Sequence, residues 1–299
     1  MLRPLLPLTI VLAMLALAPG LQAAPKPAPH KPKFVPQVYA WVSGNKERAL
    51  VDLLVRDEDP VLSQLAKKYQ SLPSEGEYAP LPDDEPLLAQ HHKVGSHLPV
   101  VTDRGIVSAK ITGYGLGPGA SETHVYLVLE PGKRPLQGVA VLSGKPAAGA
   151  TLAKVARLDP ANAEVGARLA HCRAELLAKA PKNIAKILDK LPPAAKTWQM
   201  AQGRMPPDFK ALVSIAKKRN DTEWFATLLF IDAAGNLKDL LAPPLVSINH
   251  YPIERVVDMD GDGIDEFVYR STYYEGEYFL LLKWDGKAWQ VLTLGGDGA

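Results

Sequence analysis

The chain has 299 residues, with 34 Lys and Arg against 32 Asp and Glu, a formal net charge of +2 and 47% hydrophobic residues. Proteins that bind nucleic acid over a broad surface usually show a basic patch or stripe. No such run occurs here, so the composition argues against that class. The single cysteine, Cys172, excludes an internal disulfide. A chain of this length can bury more than one hydrophobic core.

Residues 1–23 have the three-part layout of a secretory signal peptide. Arg3 precedes an apolar run from Leu5 to Leu17, and small residues follow as far as Ala23 and Ala24. The apolar run is shorter than the roughly 20 residues that span a bilayer. We therefore expect cleavage after Ala23 and a soluble periplasmic or secreted protein, with an uncleaved membrane anchor as the alternative.

Residues 24–37 are rich in proline, which indicates an extended linker. An α+β domain is predicted for 38–158. It begins with two short helices, one over 45–56 and one that starts at Asp59 and Pro60, because Asp before Pro is a typical helix start. Residues 71–93 are rich in Pro, Glu and Asp and indicate an exposed loop. Alternating apolar runs separated by turn residues then predict an antiparallel sheet, at 98–101, 106–114, 123–129 and 138–142.

Residues 159–206 are predicted to form a helical hairpin connector. Cys172 lies on one helical stripe with Val165, Leu169 and Leu176, and Pro181 separates this stripe from a second one. The short separation favours an antiparallel helix pair with a buried thiol.

Residues 207–299 are predicted to form a β-rich domain. Strand-like runs lie at 209–216, 224–231, 253–257, 267–272, 278–284 and 288–294, with turn residues between them. The first run also fits a helix. The expected fold class is therefore α+β, with an N-terminal mixed antiparallel sheet, a central helix pair and a C-terminal antiparallel β meander.

The segment from 258 to 266 carries five carboxylates in nine residues, between two strand-like runs. Asp258, Asp260 and Asp262 occupy positions one, three and five of a loop with Gly263 at position six, which is the spacing that lets side chains converge on calcium. Ile264 could add its backbone carbonyl and Glu266 a bidentate carboxylate. Tyr269 stands at position twelve, where a helical EF-hand has an acid. A metal-free Asp-Gly turn is the alternative.

At these residues the chain resembles the FG-GAP/VCBS class of calcium loops, which occurs in integrin-like β-propeller repeats and in many secreted bacterial proteins. The matching part runs from Val256 to Val268 and occurs once in the sequence. Propellers need several such repeats, so a full propeller is not expected. The resemblance implies calcium ligation by Asp258, Asp260, Asp262, the carbonyl of Ile264 and Glu266.

Two other patterns contain residue types that could take part in chemistry. His91, His92 and His97 follow the acids Asp83 to Glu85, but their spacing matches no standard metal site, so a solvated loop is favoured over zinc or copper binding. The glycine-rich segment 113–119 lacks the third glycine of a dinucleotide fingerprint and the Lys-Ser or Lys-Thr of a P-loop. It indicates a mobile hairpin loop.

The leading functional hypothesis is an exported calcium-binding protein with a structural calcium site. It would be a non-enzymatic binding or envelope-interaction module whose partner is a protein or glycan of the cell envelope, because the sequence contains no Gly-x-Ser-x-Gly elbow and no His-Glu-x-x-His motif. The alternative is a secreted hydrolase with structural calcium and an active site assembled from separate loops.

Overall fold

The computed structural model describes residues 38–53, 64–65, 68–69, 79–118, 123–155, 167, 170–171, 174, 178, 198–218, 224–247, 249–273 and 276–297. They all belong to one compact unit, Lys33–Ala299. The predicted signal peptide and linker, the Asp59-Pro60 helix start and Cys172 lie outside the described residues. Among the described helical residues, none forms a helix long and apolar enough to cross a membrane.

Six antiparallel strands close into a barrel. They are β1 (Tyr39–Gly44), β2 (Ala49–Leu53), β4 (His97–Thr102), β5 (Gly105–Pro118), β6 (Thr123–Leu129) and β7 (Gly138–Val141), and β3 (Ala79–Leu81) is added outside β5. The order is β5-β4-β7-β1-β2-β6, and β6 pairs back with β5 to complete the ring.

The remaining strands form two further antiparallel sheets. The four-stranded sheet, in the order β12-β11-β10-β9, contains β9 (Trp198–Ala201), β10 (Ala211–Lys218), β11 (Trp224–Ile231) and β12 (Leu237–Ser247). The five-stranded sheet, in the order β16-β15-β14-β13-β8, contains β8 (Ala153–Lys154), β13 (Ile253–Val257), β14 (Glu266–Tyr273), β15 (Gly276–Trp284) and β16 (Trp289–Asp297).

The period-two alternation of the strands distributes apolar side chains among three cores. In β1, Ala40 and Val42 face the barrel interior, while Trp41 faces the five-stranded sheet and stacks on Phe279 with ring centroids 4.0 Å apart. In β14, Val268 belongs to this same core, whereas its neighbour Phe267 packs towards the four-stranded sheet. The five-stranded sheet is therefore buried on both faces, which explains the uninterrupted apolar runs in its central strands.

The predicted α+β class is wrong. Of the residues that the structure describes, 55% are in strands and 7% are helical, so this part of the chain is a β structure. In the described part of the chain, α1 (Pro86–Ala89) is the only helix with defined bounds, and no central helix pair is seen. Most of 159–191 lies outside the described residues, although five isolated positions in it are helical (Ala167, Ala170, His171, Ala174 and Ala178).

The helix predicted over 45–56 fails for a specific reason. Its apolar residues also fit a period of two, and Val51 and Leu53 point into the barrel. Asn45 sets the preceding hairpin turn, because its Oδ1 accepts hydrogen bonds from the backbone N–H groups of Glu47 at 2.8 Å and Arg48 at 3.0 Å. The segment 71–93, expected to be a loop, contains β3 and α1 with Leu88 buried. The strand interpretation of 209–216 is confirmed by β10.

Strands β7 and β4 of the barrel approach closely at Gly138, and a mutation tests this contact. A Cβ added there would overlap the carbonyl oxygen of Val101 on the adjacent β4, whereas a Cβ on Gly113 would meet only Asp83 Oδ1 at 3.6 Å. Gly138→Ala should lower the free energy of unfolding by about 1 to 3 kcal/mol, the usual cost of overpacking. Gly113→Ala is the matched control, and denaturant unfolding that finds equal midpoints for the two variants would contradict this close approach of β7 to β4.

Candidate metal centre

The acidic loop joins β13 to β14, and the pairing of Val257 with Glu266 closes its base. Met259 is fully buried in the core between the barrel and the five-stranded sheet. Its carbonyl oxygen accepts a hydrogen bond from the N–H of Ala147 at 2.8 Å. The buried side chain of Met259 therefore anchors a loop that is rich in carboxylates.

Two glycines make the loop geometry possible. Gly261 and Gly263 have φ angles of 83° and 86°, in the left-handed region that favours glycine. A Cβ on Gly261 would also lie 3.2 Å from the Cβ of Ala147. The Asp-Gly-Asp-Gly sequence thus permits two sharp bends that carry alternate aspartates to one side.

Three aspartates converge at this loop. Asp258, Asp260 and Asp262 each present a carboxylate oxygen within 4.8 Å of the other two. Oxygens on opposite sides of a calcium ion at about 2.4 Å would be about 4.8 Å apart, so the separations fit a common calcium ligand sphere. Among the described residues this is the only group of three or more acids, histidines or cysteines with such proximity.

Each of these aspartates also accepts a backbone hydrogen bond from the loop. Asp258 Oδ1 accepts from Gly261 N at 2.7 Å, Asp260 Oδ1 from Asp262 N at 3.2 Å, and Asp262 Oδ1 from Ile264 N at 2.7 Å. Such bonds are typical of side-chain-supported turns. They preorganise the carboxylates, and each occupies only one of the two carboxylate oxygens.

Two cations from distant segments neutralise part of this charge. Arg204 Nη2 donates to Asp258 Oδ2 at 2.9 Å and to Asp265 Oδ1 at 2.7 Å. Lys283 Nζ donates to Asp260 Oδ2 and, at 2.9 Å, to Glu266 Oε1. Asp262 has no ion-pair partner within the described part of the chain. Sequence reasoning missed both cations because neither lies near the loop in sequence.

Arg204 holds the loop chiefly through Asp265. The Arg204 N–H donates to Asp265 Oδ2 at 2.7 Å, and the Asp265 N–H donates to the carbonyl of Arg204 at 2.7 Å. The carboxylate of Asp265 therefore binds the chain that follows β9 and does not join the three converging aspartates.

Glu266, predicted as a further ligand, lies outside the group of three converging aspartates. It is 2% exposed, and its Oε2 accepts from the Met259 N–H at 2.6 Å. Burial raises the pKa of the Glu266 carboxyl, and the hydrogen bonds from Lys283 and Met259 oppose that rise. Burial lowers the pKa of Lys283, but its bonds to Asp260 and Glu266 outweigh this, so the pKa is raised. Ile264, half-buried, contributes its N–H to Asp262.

The remaining sequence candidates do not form a second site. His92 is buried and His91 and His97 are exposed, and the three do not converge on a common ligand position in the described structure. Glu85 is also buried and bonds to Lys68 Nζ at 2.9 Å and to Tyr69. The prediction of a solvated loop is therefore wrong for the side chains of His92 and Glu85, which are buried.

The glycine-rich segment belongs to strand β5 as far as Pro118, so the predicted mobile loop is wrong for residues 113–118. Gly117 faces the ring of Tyr126, where a Cβ would lie 2.7 Å from Cε2. Gly117 therefore makes room for a side chain on the neighbouring strand β6.

No protein family model matches the sequence, and neither the curated proteins nor the solved structures searched contain a match. The resemblance of the acidic loop to FG-GAP/VCBS calcium loops therefore rests on the loop residues themselves.

The burial of His92 makes stability depend on pH. Burial, with the nearby His91, lowers the pKa of His92 to about 4, and its Nε2 has no hydrogen-bond partner in the described structure. Because the unfolded chain binds a proton near pH 6.5 and the folded protein does not, this contribution to stability is present above pH 6.5 and is lost as the pH falls towards 4.

Between pH 7 and pH 5 the loss from His92 should be about 2 kcal/mol. The free energy of unfolding of His92→Gln should therefore fall by about 2 kcal/mol less than that of the wild type over this range. Urea unfolding at the two pH values measures the difference. His97→Gln, which changes an exposed histidine, is the control and should follow the wild type. Parallel pH profiles for His92→Gln and the wild type would contradict the interpretation.

Proposed function

We propose that the protein is an exported calcium-binding protein in which Asp258, Asp260 and Asp262 hold a structural calcium ion. The observation that carries the proposal is the convergence of the three carboxylates within 4.8 Å on a glycine-bent loop. Like charges this close repel one another, and an ion coordinated by all three would convert the repulsion into attraction.

The loop's position supports a structural role for the ion. The loop closes the β13–β14 hairpin, and its anchor Met259 lies in the core that joins the barrel to the five-stranded sheet. Fixing the loop would therefore stabilise the β13–β14 hairpin, whose residues pack on both faces of that sheet. Extracellular calcium modules bind with dissociation constants of about 10⁻⁴ to 10⁻³ M, which suits stabilisation at external calcium concentrations.

Sequence features support the proposed role as a non-enzymatic binding module. The predicted signal peptide, the proline-rich spacer and the lack of a recognised catalytic motif in the sequence are typical of proteins that act at the cell envelope through contacts. A protein or glycan of the envelope is the proposed partner. Affinity capture from an envelope fraction, with calcium and with chelator, tests this part; specific recovery of one partner supports it, and recovery of none contradicts it.

Calcium should raise the melting temperature, and Asp262 should be required for the increase. At 10 to 100 times the dissociation constant, binding should add roughly 1 to 3 kcal/mol, or about 3 to 10 °C in Tm for a domain of this size. Asp262→Asn keeps an oxygen for the Ile264 N–H but removes the charge, so it should lose the increase measured by calorimetry with calcium against chelator.

Asp285→Asn is the matched control for that measurement. Asp285 supports another hairpin turn, where its Oδ1 accepts from the N–H groups of Lys287 and Ala288, each at 2.8 Å. This variant should keep the full calcium-dependent increase. Identical melting curves for the wild type with calcium and with chelator would refute the calcium site.

Lys283 should compete with calcium for the loop, because its ammonium group already binds Asp260. Lys283→Met should tighten calcium binding roughly tenfold through the loss of one nearby positive charge. It should also lower stability in chelator, since Glu266 would remain buried without a cation. Titration calorimetry checks the first effect and thermal unfolding the second. Lys287→Met, in the exposed hairpin turn, is the control, and unchanged affinity in Lys283→Met would contradict the competition.

A further inference from the structure

A cleft of about 310 Å³ lies where the barrel meets the five-stranded sheet, separate from the acidic loop. Three arginines from separate parts of the chain line it: Arg104 in the turn between β4 and β5, Arg134 between β6 and β7, and Arg255 on β13. Trp41 and Leu152 form an apolar floor and are 7% and 2% exposed. We call this cavity the arginine cleft.

The turn that carries Arg104 is held in place. Thr102 Oγ1 accepts from the Arg104 N–H at 3.1 Å and donates to the Gly105 carbonyl at 2.8 Å, and Gly105 has a φ of 100°. The Leu152 N–H donates to the carbonyl of Thr102 at 2.9 Å. The backbone under this arginine is therefore fixed to both the barrel and the segment that forms the floor.

Positive charge is concentrated at the arginine cleft. An adjoining cavity of about 560 Å³ shares Arg104 and Arg134 and adds Lys110, Lys133 and Glu130. With Asp103, the two cavities are lined by five cationic and two anionic side chains. The excess of three positive charges exceeds the net charge of +2 of the entire chain. The fold thus gathers a basic surface that the even spread of Lys and Arg along the sequence conceals.

The arginines of the cleft are poorly neutralised. Arg104 Nε lies 3.6 Å from Asp103 Oδ1, too far for a hydrogen bond, and both side chains are about half exposed. Arg255 Nη1 donates to the backbone carbonyl of Glu254 at 2.8 Å and lies 3.7 Å from Glu254 Oε2, while the other carboxylate oxygen of Glu254 bonds to Arg270. Arg134 has no ion pair or hydrogen bond from its guanidinium within the described part of the chain. Guanidinium donors therefore remain available in the cleft.

A sixth cation lies beside Arg255. Lys154 on β8 is its direct partner in the antiparallel pair, so the two side chains project from the same face of the sheet. Like charges directly opposite each other destabilise a strand pair. A bound anion would offset this repulsion.

We propose that the arginine cleft binds a phosphate group. Arginine forks match the oxygens of a phosphate in bidentate fashion, and the cavity lies in the size range of small-ligand sites. Stacking of a nucleic-acid base is disfavoured, because the ring of Trp41 is buried and already stacks on Phe279. The phosphate can belong to a soluble phosphate ester or to an anionic lipid headgroup, and the two sources are separated by experiment.

The test is titration calorimetry of the full chain with inorganic pyrophosphate in calcium-free buffer. Binding should weaken as ionic strength rises. Arg134→Gln should weaken it about tenfold or more, as expected for the loss of a charge-assisted hydrogen bond, and Arg134→Lys should weaken it less. Lys145→Gln removes an exposed cation outside both cavities and should leave the affinity unchanged. Circular dichroism confirms that each variant is folded.

Co-sedimentation with phosphatidylcholine vesicles, with and without phosphatidylglycerol, forms the second arm. Pyrophosphate binding without vesicle binding identifies a soluble ligand, and vesicle binding that depends on phosphatidylglycerol and on Arg134 identifies the headgroup. No binding in either arm overturns the proposal, as does a loss of affinity that is equal in Arg134→Gln and Lys145→Gln. These outcomes are independent of calcium binding.

Discussion

The burial of the five-stranded sheet on both faces is the constraint on which the rest of the structure depends. Neighbouring residues in its central strands pack into opposite cores, as Phe267 and Val268 do in β14 and Leu281 and Leu282 do in β15. A one-residue slip in register would turn the side chains of each face to the opposite face. It would disturb both the core shared with the barrel and the core shared with the four-stranded sheet. This double requirement fixes β13, which carries Arg255 and leads directly into Asp258.

The acidic loop is built so that the fold tolerates its charge. Met259 and Glu266 face inwards, and Arg204 and Lys283 reach the loop from other segments. The side chain of Arg204 is 60% exposed, so its ion pairs add little stability. Lys283 is less exposed and meets a buried carboxylate, which makes it the more consequential partner. An ion at the loop would thus supplement an existing electrostatic balance and would not be the sole support of the hairpin.

The sequence predicted those features that depend on neighbouring residues. Alternating apolar residues located the strands from Leu98 onwards, and the Asp-Gly spacing located the three aspartates that converge. The barrel was not predicted, because closure depends on the pairing of β5 with β6 and on the close approach at Gly138, which no local pattern encodes. The residues Ala49 to Leu53 satisfy both helical and strand periods, and only the barrel core decides between them. The arginine cleft was missed because its members come from three separate segments.

The hydrogen bond from the Gly296 N–H to Asp52 Oδ2, at 2.9 Å, joins residues 244 positions apart. The stack of Trp41 on Phe279 likewise connects the first strand with the last quarter of the chain. Contacts so distant in sequence form slowly, because loop-closure entropy is spent before they contribute. On the ribosome, the partners of β1 in the five-stranded sheet are made only after most of the polypeptide has been synthesised. Late completion of the fold would leave apolar residues of the first strand, such as Trp41, without their partners from the five-stranded sheet during most of synthesis.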